Sequence, residues 1–208
     1  IIQPDIGQTL LVFLSWAILV FISGINLLFI LLFISFSIIT LLYIVFFIPK
    51  FIYIKSRILS FFNPDGGTHN FQSDKAIEAI SSGGFFGKGI GEGTLKTRVP
   101  EAHTDYIVSV ISEEFGVIAI ILLLILFLFF VYFVFKKIYL EKSEKIKLVL
   151  TGAISLIIFQ ALIHLGVNIR LFPTTGMTLP FLSYGGSSIV GVSILSGIIL
   201  NLTKRKID

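Results

Sequence analysis

The chain has 208 residues, of which 55% are hydrophobic, 14% aromatic and only 13% charged, with a mean hydropathy of +1.00. Soluble domains carry about a quarter charged residues, so a chain this poor in charge excludes water as its main solvent and points to lipid. The lack of cysteine excludes disulfides, thiolate metal sites and cysteine nucleophiles, and the net charge of +4 reads as Lys and Arg held at one membrane face, with no nucleic-acid partner.

The chain opens on Ile1 and its one methionine is Met177, which reads as the C-terminal part of a longer protein. Between Asp5 and Lys50 lie 44 residues without a formal charge. About 20 apolar residues cross a bilayer as a helix, so residues 1–49 read as two spans that turn at Gly24 and Asn26 and close at Pro49. A long polar loop follows over 50–105. Spans are expected again at 106–135, 148–169 and 184–203, separated by a basic loop at 136–147 and by a segment at 170–183. Pro173, Gly176 and Pro180 break that segment, which reads as re-entrant, and 204–208 form a basic tail. The predicted fold class is therefore all-α: a polytopic membrane protein of five transmembrane helices with one large loop.

Sidedness follows from the short loops. Residues 136–147 hold five Lys against two Glu, and the tail carries Lys204, Arg205 and Lys206, so both are assigned to the cytoplasm. The 50–105 loop, with seven basic and six acidic residues, then lies outside.

That loop holds most of the chemistry. Over 50–62, Lys50, Lys55 and Arg57 alternate with aromatic and aliphatic residues, which suits either a headgroup anchor or a wall of a groove for a lipid substrate. Asn63-Pro64-Asp65-Gly66-Gly67 is a turn cluster. Ser73 can cap a short helix through about Ser82. Ser82-Gly83-Gly84-Phe85-Phe86-Gly87-Lys88-Gly89-Ile90-Gly91-Glu92-Gly93 is rich in glycine, yet it fails both nucleotide-motif spacings. Two readings of it stay open: a flexible rim, or backbone amides that hold a pyrophosphate beside Lys88.

Acids mark the approach to the third span. Glu101, His103 and Asp105 alternate, a pattern able to share a hard cation with a pyrophosphate and equally able to satisfy a loop. Asp105 sits where loop meets membrane, and Glu113 and Glu114 precede 21 uncharged residues. Charge is costly there, and a partly desolvated aspartate has a raised pKa that suits a general base. The competing reading is an acid that complements a helix N-terminus. His164 reads as a contact between helices. Ser187 and Gly191, and Ser193 and Gly197, are spaced for close helix packing.

In this order, Gln3-Pro4-Asp5-Ile6-Gly7, Phe62-Asn63-Pro64, the Ser82–Gly89 stretch, Pro100-Glu101-Ala102-His103-Thr104-Asp105, Glu113-Glu114-Phe115-Gly116 and Pro180-Phe181-Leu182-Ser183-Tyr184-Gly185-Gly186-Ser187-Ser188 resemble the SEDS family of bacterial membrane proteins (FtsW, RodA and SpoVE). Within it, the Pro100–Asp105 and Gly176–Pro180 motifs look closer to the division branch, FtsW, than to the elongation branch. The sequence departs from the family at Thr68-His69-Asn70-Phe71-Gln72.

The resemblance implies the second half of a ten-helix fold, with 50–105 as a periplasmic loop. It implies polymerisation of lipid II into glycan strands during septal wall synthesis. Asp105 matches the family's essential loop aspartate and would act as the base. Lys88, Lys96, Arg98, Glu101, His103, Thr104 and Ser183 are the substrate-binding candidates around it. It implies no soluble cofactor. A divalent cation (Mg2+ or Mn2+) is the one helper that Asp105 and Glu101 could hold. A class B penicillin-binding protein and other division proteins are the implied partners, and a bacterial inner membrane the location. This piece alone is expected to be inactive. Two other classes stay open: a lipid II flippase, and a non-catalytic division scaffold.

Overall fold

The computed structural model describes residues 5–62, 68–94 and 99–204, so Gln3, Pro4, the Asn63–Gly67 turn, Lys96, Arg98, Arg205 and Lys206 lie outside the described residues. Among those described, every regular element is helical: α1 (Ile6–Ile22), α2 (Leu27–Phe47), a 3-10 turn (Pro49–Phe51), α3 (Ile52–Phe62), α4 (Thr68–Gly83), α5 (Ile107–Leu140), α6 (Glu144–Asn168) and α7 (Gly186–Thr203).

Local chemistry explains most boundaries. The Asp5 carboxylate accepts from the Gln8 amide at 3.0 Å and starts α1. Gly24, at φ +85°, and Asn26, which accepts from Leu28 at 3.0 Å, make the expected turn into α2. Four helices are long and apolar enough to cross a membrane: α2, α5, α6 and α7. α1 is apolar but shorter, its 17 residues reaching about 26 Å. Chains of large apolar side chains on α2 and α5 are exposed, as lipid-facing surfaces should be.

Several ends differ from expectation. α4 begins by Thr68, which places Ser73 inside the helix and buried, so Ser73 is not its cap. The basic loop shrinks to residues 141–143 because Lys and Glu are good helix formers and continue α5 and α6 on either side, with Lys147 paired to Glu144 at 2.9 Å. Gly191 and Gly197 have no atom within 4 Å of an added Cβ, so among the described residues their small face covers no neighbour. The packing role read for them is not realised among the described residues.

α6 is the central helix. Below, Val134, Leu150, Ile154, Ile157 and Ile199 join α5, α6 and α7. Above, Leu11, Ala76, Ala79, Tyr106, Val110, Ile163, Val167 and Met177 join α1, α4, α5 and α6 beneath the loop.

The glycine-rich stretch has a packing role that spacing did not reveal. Inside α5, Gly116 is extended at φ +77° and ψ 177°, which interrupts the helical ladder. The carbonyls of Glu113 and Glu114 lose their helical donors and receive the amides of Lys88 (2.9 Å) and Gly89 (3.0 Å) instead. The amides of Val117 and Ile118 turn to the carbonyls of Gly84 (3.0 Å) and Phe85 (3.3 Å). Four backbone bonds thus splice the loop into the broken helix. With the Gly91 amide on the Glu114 carboxylate at 3.2 Å, the amides of Lys88, Gly89 and Gly91 are committed to protein acceptors.

So close a splice needs glycine. A Cβ at Gly87 would overlap the Glu114 carbonyl, and one at Gly116 the Phe85 carbonyl. Gly91, also at positive φ, has open space around it. Gly91→Ala is therefore expected to cost only the left-handed penalty of about 1–2 kcal/mol. Gly87→Ala adds backbone overlap and should cost roughly 3 kcal/mol or more. Thermal unfolding of the full-length protein in detergent checks the order; equal shifts for the two variants would contradict the splice.

Candidate functional site

The Pro100–Asp105 motif winds into a tight coil just before α5. The amides of Thr104, Asp105 and Tyr106 converge on the carbonyl of Glu101 at 3.1, 3.0 and 3.2 Å. That convergence holds Glu101 at φ +54°. The Thr104 hydroxyl lies 2.8 Å from the Glu101 carboxylate, to which it donates. Two of the expected substrate-binding residues therefore brace one another. His103 is exposed.

The segment after α6 forms the opposite wall. From Pro173 to Leu179 it has no regular structure, yet Met177 and Leu179 are buried. Polar side chains of α6 satisfy it. His164 donates from Nδ1 to the Met177 carbonyl at 2.7 Å, and Gln160 donates to the Thr178 carbonyl at 2.9 Å and to the Ser188 hydroxyl at 2.9 Å. His164 is thus a packing contact, as its placement in a span suggested. Ser183 is 3% exposed; its hydroxyl accepts from the Leu179 amide at 2.8 Å and donates to the Thr104 carbonyl at 2.7 Å. Ser183 meets the motif from behind and braces its backbone.

Asp105 is half-buried between these walls. Its Oδ2 lies 3.7 Å from where a Cβ on Gly176 would sit, so the carboxylate faces the irregular segment. Burial pushes its pKa up, the nearby Glu101 carboxylate pushes it further, and Arg57 offsets part of this, to leave it at about 6.

Arg57, on α3, is the residue that sequence reasoning placed only in a lipid anchor or groove wall. It donates to the Thr174 carbonyl at 3.3 Å and lines a cleft of about 320 Å³ with Tyr53, Thr175, Gly176 and Asp5. An apolar groove of about 430 Å³ between α1, α2 and α3 shares Asp5 and Ile54 with that cleft and adds Phe33, Phe36, Ile44 and Phe51. The amphipathic pattern of 50–62 was the available signal for a groove wall.

Lys88 sits elsewhere in the loop, 3.5 Å from Oε1 of fully buried Glu113. Lys96 and Arg98 lie outside the described residues. Among the described residues no group of three or more His, Asp or Glu converges to hold a metal. Asp105 and Glu101 alone do not make a protein cage. Mg2+ is commonly held by one or two carboxylates together with substrate phosphates, so a cation here would depend on the substrate's own oxygens.

Comparison with known proteins agrees with this architecture. Residues 1–207 match the FtsW/RodA/SpoVE family, described as cell cycle proteins. Among curated relatives, the Caulobacter vibrioides protein named probable peptidoglycan glycosyltransferase FtsW is 37% identical over 99% of this chain and 52% of its own length. The Buchnera aphidicola (subsp. Baizongia pistaciae) protein of the same name is 36% identical over 97% of this chain and 54% of its own. A solved chain from a peptidoglycan synthase complex that coordinates polymerization and crosslinking superposes with a TM-score of 0.74 at 27% identity, over 97% of this chain and 56% of that one. The chain spans about half the length of the relatives it matches. An apolar, multi-helix membrane chain with this motif order belongs to the FtsW/RodA/SpoVE family of cell cycle proteins.

Proposed function

We propose that the whole protein polymerises lipid II into glycan strands and that Asp105 is its general base. The observation that carries this is the half-buried Asp105 carboxylate facing Gly176 beside a cleft lined by Arg57. In the reaction, Asp105 takes the proton from the 4-hydroxyl of the acceptor's terminal N-acetylglucosamine. That oxygen bonds to the anomeric carbon of a second lipid-linked sugar, with inversion. The bond from that carbon to the pyrophosphate breaks, and undecaprenyl pyrophosphate leaves as a stable anion that needs no proton. Arg57 is the described cation best placed for it, with Lys88, Lys96 and Arg98 as further candidates. The apolar groove beside the cleft suits a polyprenyl tail.

The 50–105 loop is read as periplasmic, the membrane as the bacterial inner membrane, and the setting as the division septum. A class B penicillin-binding protein is the proposed partner, with other division proteins around it; the likeness to a peptidoglycan synthase complex supports it. A flippase needs polar groups free to face a path through the membrane. Gln160, His164 and Asn168 of α6 instead each hold a carbonyl of the segment beside them or of the motif, which favours the enzyme over the transporter. A scaffold would keep its function without the Asp105 carboxylate.

Asp105→Asn in the full-length protein with its partner should lower polymerisation of labelled lipid II by about 10²–10⁴-fold while membrane insertion and thermal stability stay near wild type. A normal glycan ladder from that variant rules out the base.

The pH profile gives a second test. A base must be deprotonated, so the rate should rise as pH climbs through about 6. Arg57 lowers the Asp105 pKa, so Arg57→Ala should move that limb to higher pH. Glu101 raises it, so Glu101→Gln should move the limb to lower pH. Shifts of the opposite sign, measured on initial rates across pH 4.5–8, would contradict the assigned surroundings.

A further inference from the structure

The carbonyls of His103, Thr104 and Asp105 each accept a hydrogen bond from residues far along the chain. The Tyr184 amide donates to the His103 carbonyl at 2.9 Å, the Ser183 hydroxyl to Thr104 at 2.7 Å, and Asn168 Nδ2 to Asp105 at 3.0 Å. We propose that these three donors form a carbonyl clamp that sets the distance of the Asp105 carboxylate from the cleft, with Asn168 and Ser183 as positioning residues for catalysis. The proposal rests on Asp105 as the base.

The start of α5 makes room for the clamp. A regular ladder would send the Ser109 amide to the Asp105 carbonyl. It goes instead to Tyr106 at 3.0 Å, in a tight first turn, and the Asp105 carbonyl is left for Asn168. Asn168 is fully buried at the end of α6. Its Nδ2 also donates to the His164 carbonyl at 2.9 Å. Two carbonyl acceptors fix the amide orientation, since only nitrogen can donate to both.

Ser183 and Asn168 are themselves tied to the irregular wall. Ser183 holds Leu179 through its amide while it holds Thr104. The His164 carbonyl is bound by Asn168 while its ring grips Met177, next to Gly176. The same set of groups thus fixes both sides of the gap between Asp105 and Gly176. A general base must lie within hydrogen-bond reach of the proton it takes, and a displacement of about 1 Å can cost about 10²-fold in rate. A clamp on the base's own peptide unit acts on that distance without touching substrate.

The test uses the full-length protein with its partner and labelled lipid II, and compares Asn168→Ala, Ser183→Ala, Ser183→Thr and Asp105→Asn. The expected result is a kcat lowered about 10–10²-fold in Asn168→Ala and Ser183→Ala, with KM for lipid II unchanged, and recovery in Ser183→Thr, which keeps the hydroxyl. Should Asn168→Ala fail to accumulate, Asn168→Asp replaces the donating nitrogen at nearly equal volume, and Ser183→Ala, the loss of one atom, carries the test alone. Wild-type kcat in Ser183→Ala and the folded Asn168 variant, with Asp105→Asn inactive, overturns the clamp and leaves the base intact. An active Asp105→Asn removes the base itself. A rise in KM with kcat unchanged overturns positioning in favour of direct substrate contact.

Discussion

Lipid offers no hydrogen bonds, so every stretch of backbone that leaves the helical ladder at membrane depth must find partners inside the protein. This chain leaves the ladder twice near the motif, at Gly116 and over the segment from Pro173 to Gly185. The first break is closed by backbone from the glycine-rich loop. The second is closed by Gln160 and His164 on α6 and by Ser183 within the segment, while Asn168 holds the motif. Those repairs build the walls of the candidate site.

The repairs also set its electrostatics. The coil at Glu101–Tyr106 turns its backbone toward α6 and the returning segment, which leaves the Asp105 side chain facing Gly176, half out of water. A carboxyl in that position, beside Glu101 and offset by Arg57, titrates near 6 rather than near 4. Glu113 follows a different course. It is fully buried beside the splice with Lys88 nearby, so that pair belongs to the joint between loop and helix. Two acids eight residues apart thus have separate surroundings, one half-buried and one sealed.

The apolar groove and the polar cleft meet at Asp5 and Ile54. This juxtaposition suits a ligand with a hydrocarbon tail and a charged head. It arises because α3 lies against the turn from α2 and carries Arg57 toward Thr174, so the amphipathic segment walls both. Gln160 and His164 of α6, which by position alone could line a transport path, are turned to the irregular segment.

Composition and charge spacing were enough to read the helical class and the long apolar helices, because a bilayer imposes its thickness on any apolar run. The motif order was enough to place the chain in its family, and the position of Asp105 at the end of the loop singled it out. Helix ends were less legible: Thr68, Lys136 and Lys147 lie in helices because propensity and i,i+3 pairs extend them past the polar boundary. The role of Gly87 and Gly116, the approach of Arg57 and the bonds from Asn168, Ser183 and Tyr184 to the motif were not readable at all. Those partners lie 63 to 117 residues apart or join two backbones directly, and no local pattern in a sequence records which carbonyl a distant donor will reach. Only the folded chain decides that, since the need to satisfy each non-helical peptide group selects its partner by proximity in space.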